Sequence, residues 1–176
     1  MKDLLLAFDP SMTCAGYAVL HLPAGDKLED AGVITSEGET LFQRGTYLRN
    51  EAQKLIAQYV DRLAALVIEF PLEATAGMAA KRTASTLPTY GLAVGSIAFG
   101  VRWPAGLQVI TPPAEWAQLA GLPGAKKDKH KEKRVRLVET IYGLQPGALG
   151  AKTKAGNAAD AILLARWAVM QVKPCH

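Results

Sequence analysis

Two hydrophobic runs in this chain each end in an acidic residue. Residues 4–8 form an unbroken apolar run that stops at Asp9, and residues 64–68 form a second run that stops at Glu69, with a proline within two residues of each acid. Apolar runs of this length, bounded by turn residues, are typical of strands buried on both faces. Each run therefore predicts a buried strand with a carboxylate at its carboxyl end.

The rest of the pattern alternates between strand-like and helical spacing. Short apolar runs separated by Pro- and Gly-containing turns predict further strands, and apolar residues three or four apart predict helices. The predicted strands lie at 15–20, 31–35 and 107–110, and the predicted helices at 40–63, 92–99, 113–120, the second half of 121–144, and 157–171.

This order of elements predicts an α/β fold. Three successive strands joined by short turns favour an antiparallel arrangement, and the two later strands, each preceded by a helix, favour parallel pairing. We expect a central five-stranded mixed sheet flanked by helices, in a single domain spanning residues 1–176. Because ligands gather outside the carboxyl ends of adjacent parallel strands, Asp9 and Glu69 are expected to meet there. The alternatives are a turn-capping role for Asp9 and an ion pair with a loop cation for Glu69.

The composition supports a globular protein. With 176 residues, 49% of them hydrophobic and 20% charged, the chain can bury one core, which excludes disorder as its general state. The opening apolar run is too short for a signal peptide or a membrane span, so we expect a cytoplasmic protein. Cys14 and Cys175 form neither a disulfide framework nor a zinc-ligand spacing, and both are expected to be free thiols.

The net charge of +4 is unevenly distributed. Residues 1–80 carry 6 Lys and Arg against 11 Asp and Glu, whereas residues 81–154 carry 12 against 4. A basic region on an otherwise acidic body indicates a surface that binds a polyanion, of which nucleic acid is the commonest.

The basic charge is concentrated at the start of one predicted helix. A glycine-containing loop followed by a basic first helical turn can hold phosphates through both side chains and backbone N–H groups. A solvated helix face is the simpler alternative, since Asp128 and Glu132 dilute the charge. The basic residues of this segment are Lys126, Lys127, Lys129, Lys131, Lys133, Arg134 and Arg136, and a second predicted loop at 145–156 adds Lys152 and Lys154.

A third acid lies inside the final predicted helix. This helix is apolar on nearly every face, so Asp160, one turn from its predicted start, needs compensation from the helix amino end or from a bound cation. Asn157 lies three residues earlier on the same face. Oxygen ligands without a His or Cys cluster favour Mg²⁺ or Mn²⁺ over zinc, and such ions support phosphodiester hydrolysis.

Three motifs in order resemble the RNase H-like superfamily and, within it, the RuvC family of Holliday junction resolvases. The resemblance spans the chain and implies an RNase H-like fold, and a homodimer that binds four-way DNA junctions and nicks two opposing strands with two Mg²⁺ ions per site, for which Mn²⁺ can substitute. The motifs are Phe8-Asp9-Pro10-Ser11 with Gly16-Tyr17, then Val67-Ile68-Glu69, and finally Ala158-Ala159-Asp160-Ala161.

The resemblance also implies roles for individual residues. Asp9, Glu69, Asn157 and Asp160 correspond to metal ligands, Lys129 to a basic residue near the scissile phosphate, and Leu72 to an apolar residue that inserts into the junction. The residues that we expect to contact DNA are Leu72, Lys81, Arg82, Lys126, Lys127, Lys129, Lys131, Lys133, Arg134, Lys152 and Lys154.

The chain departs from the family pattern at two positions. The family usually has Asp, and in some members His, where this chain has Asn157. A neutral amide oxygen can bind Mg²⁺ but does not offset the cost of its dehydration, so we expect weakened metal binding and slow or abolished cleavage with DNA binding retained. Whether this asparagine is natural or an inactivating substitution is open. Trp116 lies near a position where the family often has Lys, and is expected to be a packing residue.

Three further functions remain open. The first is a broader nuclease of the same fold that cuts flaps or forks, and the second is a non-catalytic junction-binding protein. The third is a sugar-kinase-like or actin-like ATPase, which shares the opening hairpin, but the chain has only the DPSMT segment and no second phosphate loop, so this function ranks last.

Overall fold

The computed structural model describes residues 2–69, 86–110, 112, 116–120, 122 and 129–172, without the side chains of 86–88, 129 and 130. Within these ranges the chain forms five strands and five helices. The strands are β1 (Leu4–Asp9), β2 (Cys14–His21), β3 (Leu28–Thr35), β4 (Leu63–Ile68) and β5 (Gln108–Ile110). The helices are α1 (Leu41–Tyr59), α2 (Thr86–Ala98), α3 (Trp116–Leu119), α4 (Lys129–Tyr142) and α5 (Lys152–Val169).

The strands form one five-stranded mixed sheet in the order β3-β2-β1-β4-β5. The pairs β1–β2 and β2–β3 are antiparallel, whereas β1–β4 and β4–β5 are parallel. Short turns can join only antiparallel neighbours, and the parallel pairs are reached through intervening helical segments. The α/β fold with three antiparallel and two parallel strands, predicted from the sequence, is confirmed.

Alternate residues of the central strands enter two cores. In β1, Leu4, Leu6 and Phe8 pack with α1 and α2, whereas Leu5 and Ala7 face the other side of the sheet, where α5 lies. All five side chains are fully buried. A strand that is buried on both faces has apolar residues at successive positions, which explains the unbroken apolar run in the sequence of β1.

A one-residue shift in register sets the pairing of β1 with β4. Leu5 pairs with Ala65 after Leu4 has paired with Leu63, so Ala64 is passed over. The strands then run in step as far as the pair Phe8–Ile68. The next residues, Asp9 and Glu69, are therefore level with each other at the carboxyl ends of the two strands.

Helix α5 begins five residues earlier than the sequence predicted. The segment 152–156, expected to belong to a loop, forms its first turn, with Ala155 and Gly156 already buried. The prediction was wrong here because two lysines and a threonine resemble a solvated loop, although a polar first turn that projects from the core is equally compatible with a helix. Asp160 is consequently an interior residue of α5, too far from the amino end to gain much from the helix dipole.

Helix α5 is almost entirely buried in the centre of the fold. Its apolar side chains pack against β1, β2 and β4, and α4 covers its outer side. No helix in the described part of the chain combines the length and apolar character needed to span a membrane.

Candidate active site

Asp9 and Glu69 lie side by side at the end of β1 and β4. Side chains alternate along a strand, so Asp9 continues the row of Leu5 and Ala7, which faces α5, and Glu69 continues the matching row on β4. The backbone N–H of Glu69 donates to the Phe8 carbonyl at 2.9 Å. The shared register thus brings the two carboxyl groups together on one face of the sheet.

The surroundings of Asp9 disfavour its charged form. The pKa of Asp9 is raised well above its ordinary value, first by burial and then by the charge and hydrogen bond of Glu69. The charge of Asp160 raises the pKa of Asp9 further, whereas that of Lys131 lowers it. Burial and the neighbouring acids thus both disfavour a charge on Asp9.

Trp116 and Tyr90 hold Glu69 in place. The indole Nε1–H of Trp116 donates to Glu69 Oε1 at 3.0 Å, and the Tyr90 hydroxyl donates to the Glu69 carbonyl oxygen at 3.2 Å. Trp116 is buried, which agrees with the packing role expected for it, but its bond to Glu69 was not foreseen. The available signal was general: a buried indole N–H requires an acceptor.

Gly16 brings α5 close to the two acids. Gly16 pairs with Asp9 across the β1–β2 ladder, and a methyl group on it would lie 2.1 Å from the backbone oxygen of Asn157. Only a residue without a side chain allows this approach. Helix α5 therefore contacts β2 at Gly16. Asn157 and Asp160 lie on the side of α5 that is nearest to Asp9 and Glu69.

Asn157 uses both ends of its amide. Its Nδ2 donates to the Cys14 carbonyl oxygen at 2.7 Å, and its Oδ1 accepts from Lys131 Nζ at 2.7 Å. An aspartate could accept from Lys131 but could not donate to Cys14. The amide thus provides the donor that the Cys14 carbonyl needs and the acceptor that Lys131 needs. Cys14 itself carries a free thiol, as expected, while Cys175 lies outside the described residues.

Asp160 is bound by cations from α4. Arg134 Nη1 donates to Asp160 Oδ1 at 2.7 Å, and Lys131 Nζ lies 4.0 Å from Oδ2. Burial raises the pKa of Asp160, although Arg134 and Lys131 oppose that rise. Lys131 and Arg134, three residues apart on α4, thus face Asn157 and Asp160, three residues apart on α5. The compensation expected for Asp160 comes from these side chains.

The positions of the other basic residues differ. Lys131, Lys133, Lys152 and Lys154 are exposed, and Lys152 Nζ lies 2.6 Å from Glu132 Oε1. Arg134 was grouped with the DNA-contacting residues, but its side chain is only 11% exposed. Lys129 begins α4, and its side chain is not described. The predicted contacts Leu72, Lys81, Arg82, Lys126 and Lys127 lie outside the described residues.

No family model and no curated protein matches the sequence. A solved structure does match, namely T. thermophilus RuvC in complex with Holliday junction substrate, with a TM-score of 0.63, 20% sequence identity and coverage of 96% of each chain. The chain has the RuvC fold. The RNase H-like fold implied by the three motifs is thereby confirmed, and the RuvC fold extends over nearly all of the chain, although four residues in five differ.

The metal that the RuvC resemblance implies fits one part of the site. Asp9 and Glu69 lie side by side at the carboxyl ends of two adjacent strands, and carboxylate oxygens are the ligands that Mg²⁺ prefers. Asp160 is instead paired with Arg134. Among the residues described, no three His, Cys, Asp or Glu side chains are arranged to hold an ion. The site therefore offers two available carboxylates, and the ligand roles of Asp9, Glu69, Asn157 and Asp160 stay predictions.

Proposed function

We propose that this protein is a metal-dependent endonuclease that cuts branched DNA, with the four-way junction as its substrate. The observation that supports this most is the pairing of Asp9 with Glu69 at the carboxyl ends of two adjacent parallel strands. Such a pair has no evident structural use, since burial makes the ionisation of both acids costly. A protein that uses this pair to bind a cation would keep both acids despite the cost of ionising them.

Asp9 and Glu69 would hold Mg²⁺, for which Mn²⁺ can substitute. A divalent ion bound there would promote ionisation of an attacking water and stabilise charge on the scissile phosphate. Trp116 fixes one Glu69 oxygen and leaves the other for the ion. The backbone contact at Gly16, which pairs with Asp9, holds α5 close to β2 beside this acid.

Lys131 is the best placed of the described basic residues to contact the phosphate. Its side chain is 47% exposed, and its ammonium group lies beside Asn157 and Asp160 at the edge of the acidic pair. A cation there would attract the DNA backbone and hold the scissile phosphate near Asp9. Lys133 and Lys154, also exposed, would extend the contact along the backbone.

The substrate is proposed from the fold and the charge distribution. The RuvC chain of the same fold was solved with a Holliday junction, and this chain carries its positive charge in residues 81–154. Symmetric cleavage of a four-way junction requires two active sites, so we propose a homodimer. The molar mass from light scattering checks this: 18.8 kDa for a monomer would argue against it.

Cleavage of a panel of DNA substrates tests the function. Four-way, three-way, flap and linear duplexes would be incubated with the protein in Mg²⁺, in Mn²⁺ and in EDTA. We expect paired nicks in the four-way junction with either metal and none in EDTA. Equal cleavage of flaps and three-way junctions would indicate the broader nuclease, and cleavage in EDTA would refute the metal-dependent mechanism.

A second function, junction binding without cleavage, is favoured by one observation. Asn157 and Asp160 are both engaged by Lys131 and Arg134, so two of the four expected ligands already have partners. Binding of the four-way junction in an electrophoretic shift assay, without nicking in Mg²⁺ or Mn²⁺, would support this function over the first.

A further inference from the structure

We infer that the site binds one divalent ion per chain, between Asp9 and Glu69, and that Arg134 takes the place of a second ion at Asp160. This inference rests on the proposed metal-dependent function but differs from the two ions that the family resemblance implies. It follows from the contacts between α4 and α5.

Arg134 and Asp160 form a buried ion pair. Their closest atoms are 2.7 Å apart, and their side chains are only 11% and 12% exposed. The guanidinium group is a cation, so Arg134 places a positive charge beside this carboxylate. The charge of Asp160 is thus largely neutralised before any ion arrives.

A second ion at Asp160 would have to displace Arg134. The guanidinium would then be left in the interior without its carboxylate, and its Nε already has no hydrogen-bond partner within the described structure. Removing one member of a buried ion pair is strongly unfavourable because the remaining charge is uncompensated. Any ion that approached Asp160 would also be repelled by Arg134 and by Lys131, 4.0 Å away.

Asn157 does not compensate for this repulsion. Its amide is neutral, its oxygen accepts from Lys131, and its nitrogen donates to the Cys14 carbonyl. A second ion at Asp160 would therefore meet two protein cations, one of which already neutralises that carboxylate. By contrast, Asp9 and Glu69 lie level with each other at the ends of β1 and β4, and neither forms an ion pair with a side chain in the described ranges.

The number of Mn²⁺ ions bound per chain tests this inference. Metal-free, full-length protein would be titrated with Mn²⁺, and bound ions counted by electron paramagnetic resonance and by calorimetry. We expect one ion for the wild type and two for Arg134→Met, which keeps the length of the side chain but removes its charge. The matched control is Arg136→Met, an exposed arginine on the same helix, which should bind one ion.

The outcomes separate this inference from the proposed function. Two ions in the wild type, or one ion in folded Arg134→Met, would overturn the inference and leave the nuclease function standing. No bound Mn²⁺ in the wild type would overturn the metal-dependent function itself. Should Arg134→Met fail to fold, Asp160→Asn gives the answer: we expect it to bind one ion, and loss of that ion would show that Asp160 is a ligand and overturn the inference.

Discussion

Gly16 of β2 and Asn157 of α5 meet through their backbones, with no space for a side chain between them. A methyl group on Gly16 would lie 2.1 Å from the Asn157 oxygen and 3.2 Å from the Ala161 side chain. Because Gly16 also pairs with Asp9, this one contact sets the separation between the sheet and the helix at the active site.

Gly16→Ala is therefore expected to push α5 away from β2. We expect a loss of about 1–3 kcal/mol in the free energy of unfolding, as for other overpacked cores, together with weaker cleavage. Urea denaturation measures the first effect. The control is Gly91→Ala in α2, where a methyl group meets no atom within 4 Å and should be neutral or stabilise the helix by up to about 1 kcal/mol. Equal stability of Gly16→Ala and the wild type would contradict the close contact.

Asp9→Asn and Glu69→Gln should each reduce junction cleavage by about 100-fold or more, while junction affinity stays within about threefold. Each change removes one of the two carboxylates proposed to hold the metal but no phosphate-binding cation. Gel-based cleavage and binding assays in Mg²⁺ measure both quantities. Asp61→Asn, an exposed acid at the end of α1, serves as the control and should cleave normally. Full activity of either active-site variant would disprove the assigned role.

Asn157→Asp should increase the rate of cleavage in Mg²⁺ and lower the stability of the metal-free protein. The added charge offsets dehydration of the ion, but a carboxylate oxygen would face the Cys14 carbonyl, where Asn157 now donates a hydrogen bond of 2.7 Å. A lost bond of this kind costs about 1–3 kcal/mol. Cleavage rates and denaturation in EDTA test the two parts, with exposed Asn50→Asp as the control. Equal cleavage rates would refute the weakening assigned to Asn157.

Trp116→Phe should lower cleavage by about 10-fold, the usual effect of losing a partner that orients a metal ligand. Phenylalanine fills most of the buried space but cannot donate to Glu69, which would then be free to rotate. The matched control is Trp103→Phe, whose indole donates to the Ala98 carbonyl away from the site. A loss of cleavage that is the same in both variants would show that packing, and not the bond to Glu69, is responsible.

An ion-pair cluster at the other end of the sheet should affect stability in acid. Arg62 donates to Asp3 and Glu29, and it lowers the pKa of Asp3, while His21 and then Arg62 lower the pKa of Glu29. A carboxylate with a lowered pKa stabilises the folded state above its unfolded pKa, and this contribution is lost as the pH falls through the folded value.

Arg62→Met should therefore be less stable than the wild type at pH 7. This difference in stability should shrink as the pH falls below about 4. Thermal denaturation at a series of pH values measures it, with exposed Arg102→Met as the control. A deficit that stays constant down to pH 2 would show that the methionine alters packing and not charge.

The fold and half of the site could be predicted from the sequence because both depend on local patterns. Each apolar run that ends in an acid specifies a buried strand with its carboxylate at the end, and adjacent parallel strands bring such ends together. Asp9 and Glu69 are therefore readable from two short segments without knowledge of the remaining chain.

The pairing of Arg134 with Asp160 could not be predicted from the sequence because it depends on the packing of two helices. In the sequence it belongs to a basic run, and such runs are usually solvated or bind phosphate. One signal did exist: Arg134 and Lys131 continue the apolar stripe of Val138 and Val135 one turn toward the amino end, at a spacing of four residues. That spacing places both cations on the face that packs against α5, but it does not name the acid that they meet.

Ala64 has no functional group in its side chain, yet the alignment of Asp9 with Glu69 depends on how this residue pairs. Were the strands to pair without skipping Ala64, Asp9 would stand opposite Ile68, and Glu69 would project toward α1 on the far side of the sheet. The register shift at Ala64, about 17 Å from the two carboxyl groups at the usual rise per residue, thus decides whether the two acids stand together. Deletion of Ala64 would remove the shift and still leave Asp9 level with Glu69, whereas pairing of Ala64 with Leu5 in the intact chain would place the two acids on opposite faces of the sheet.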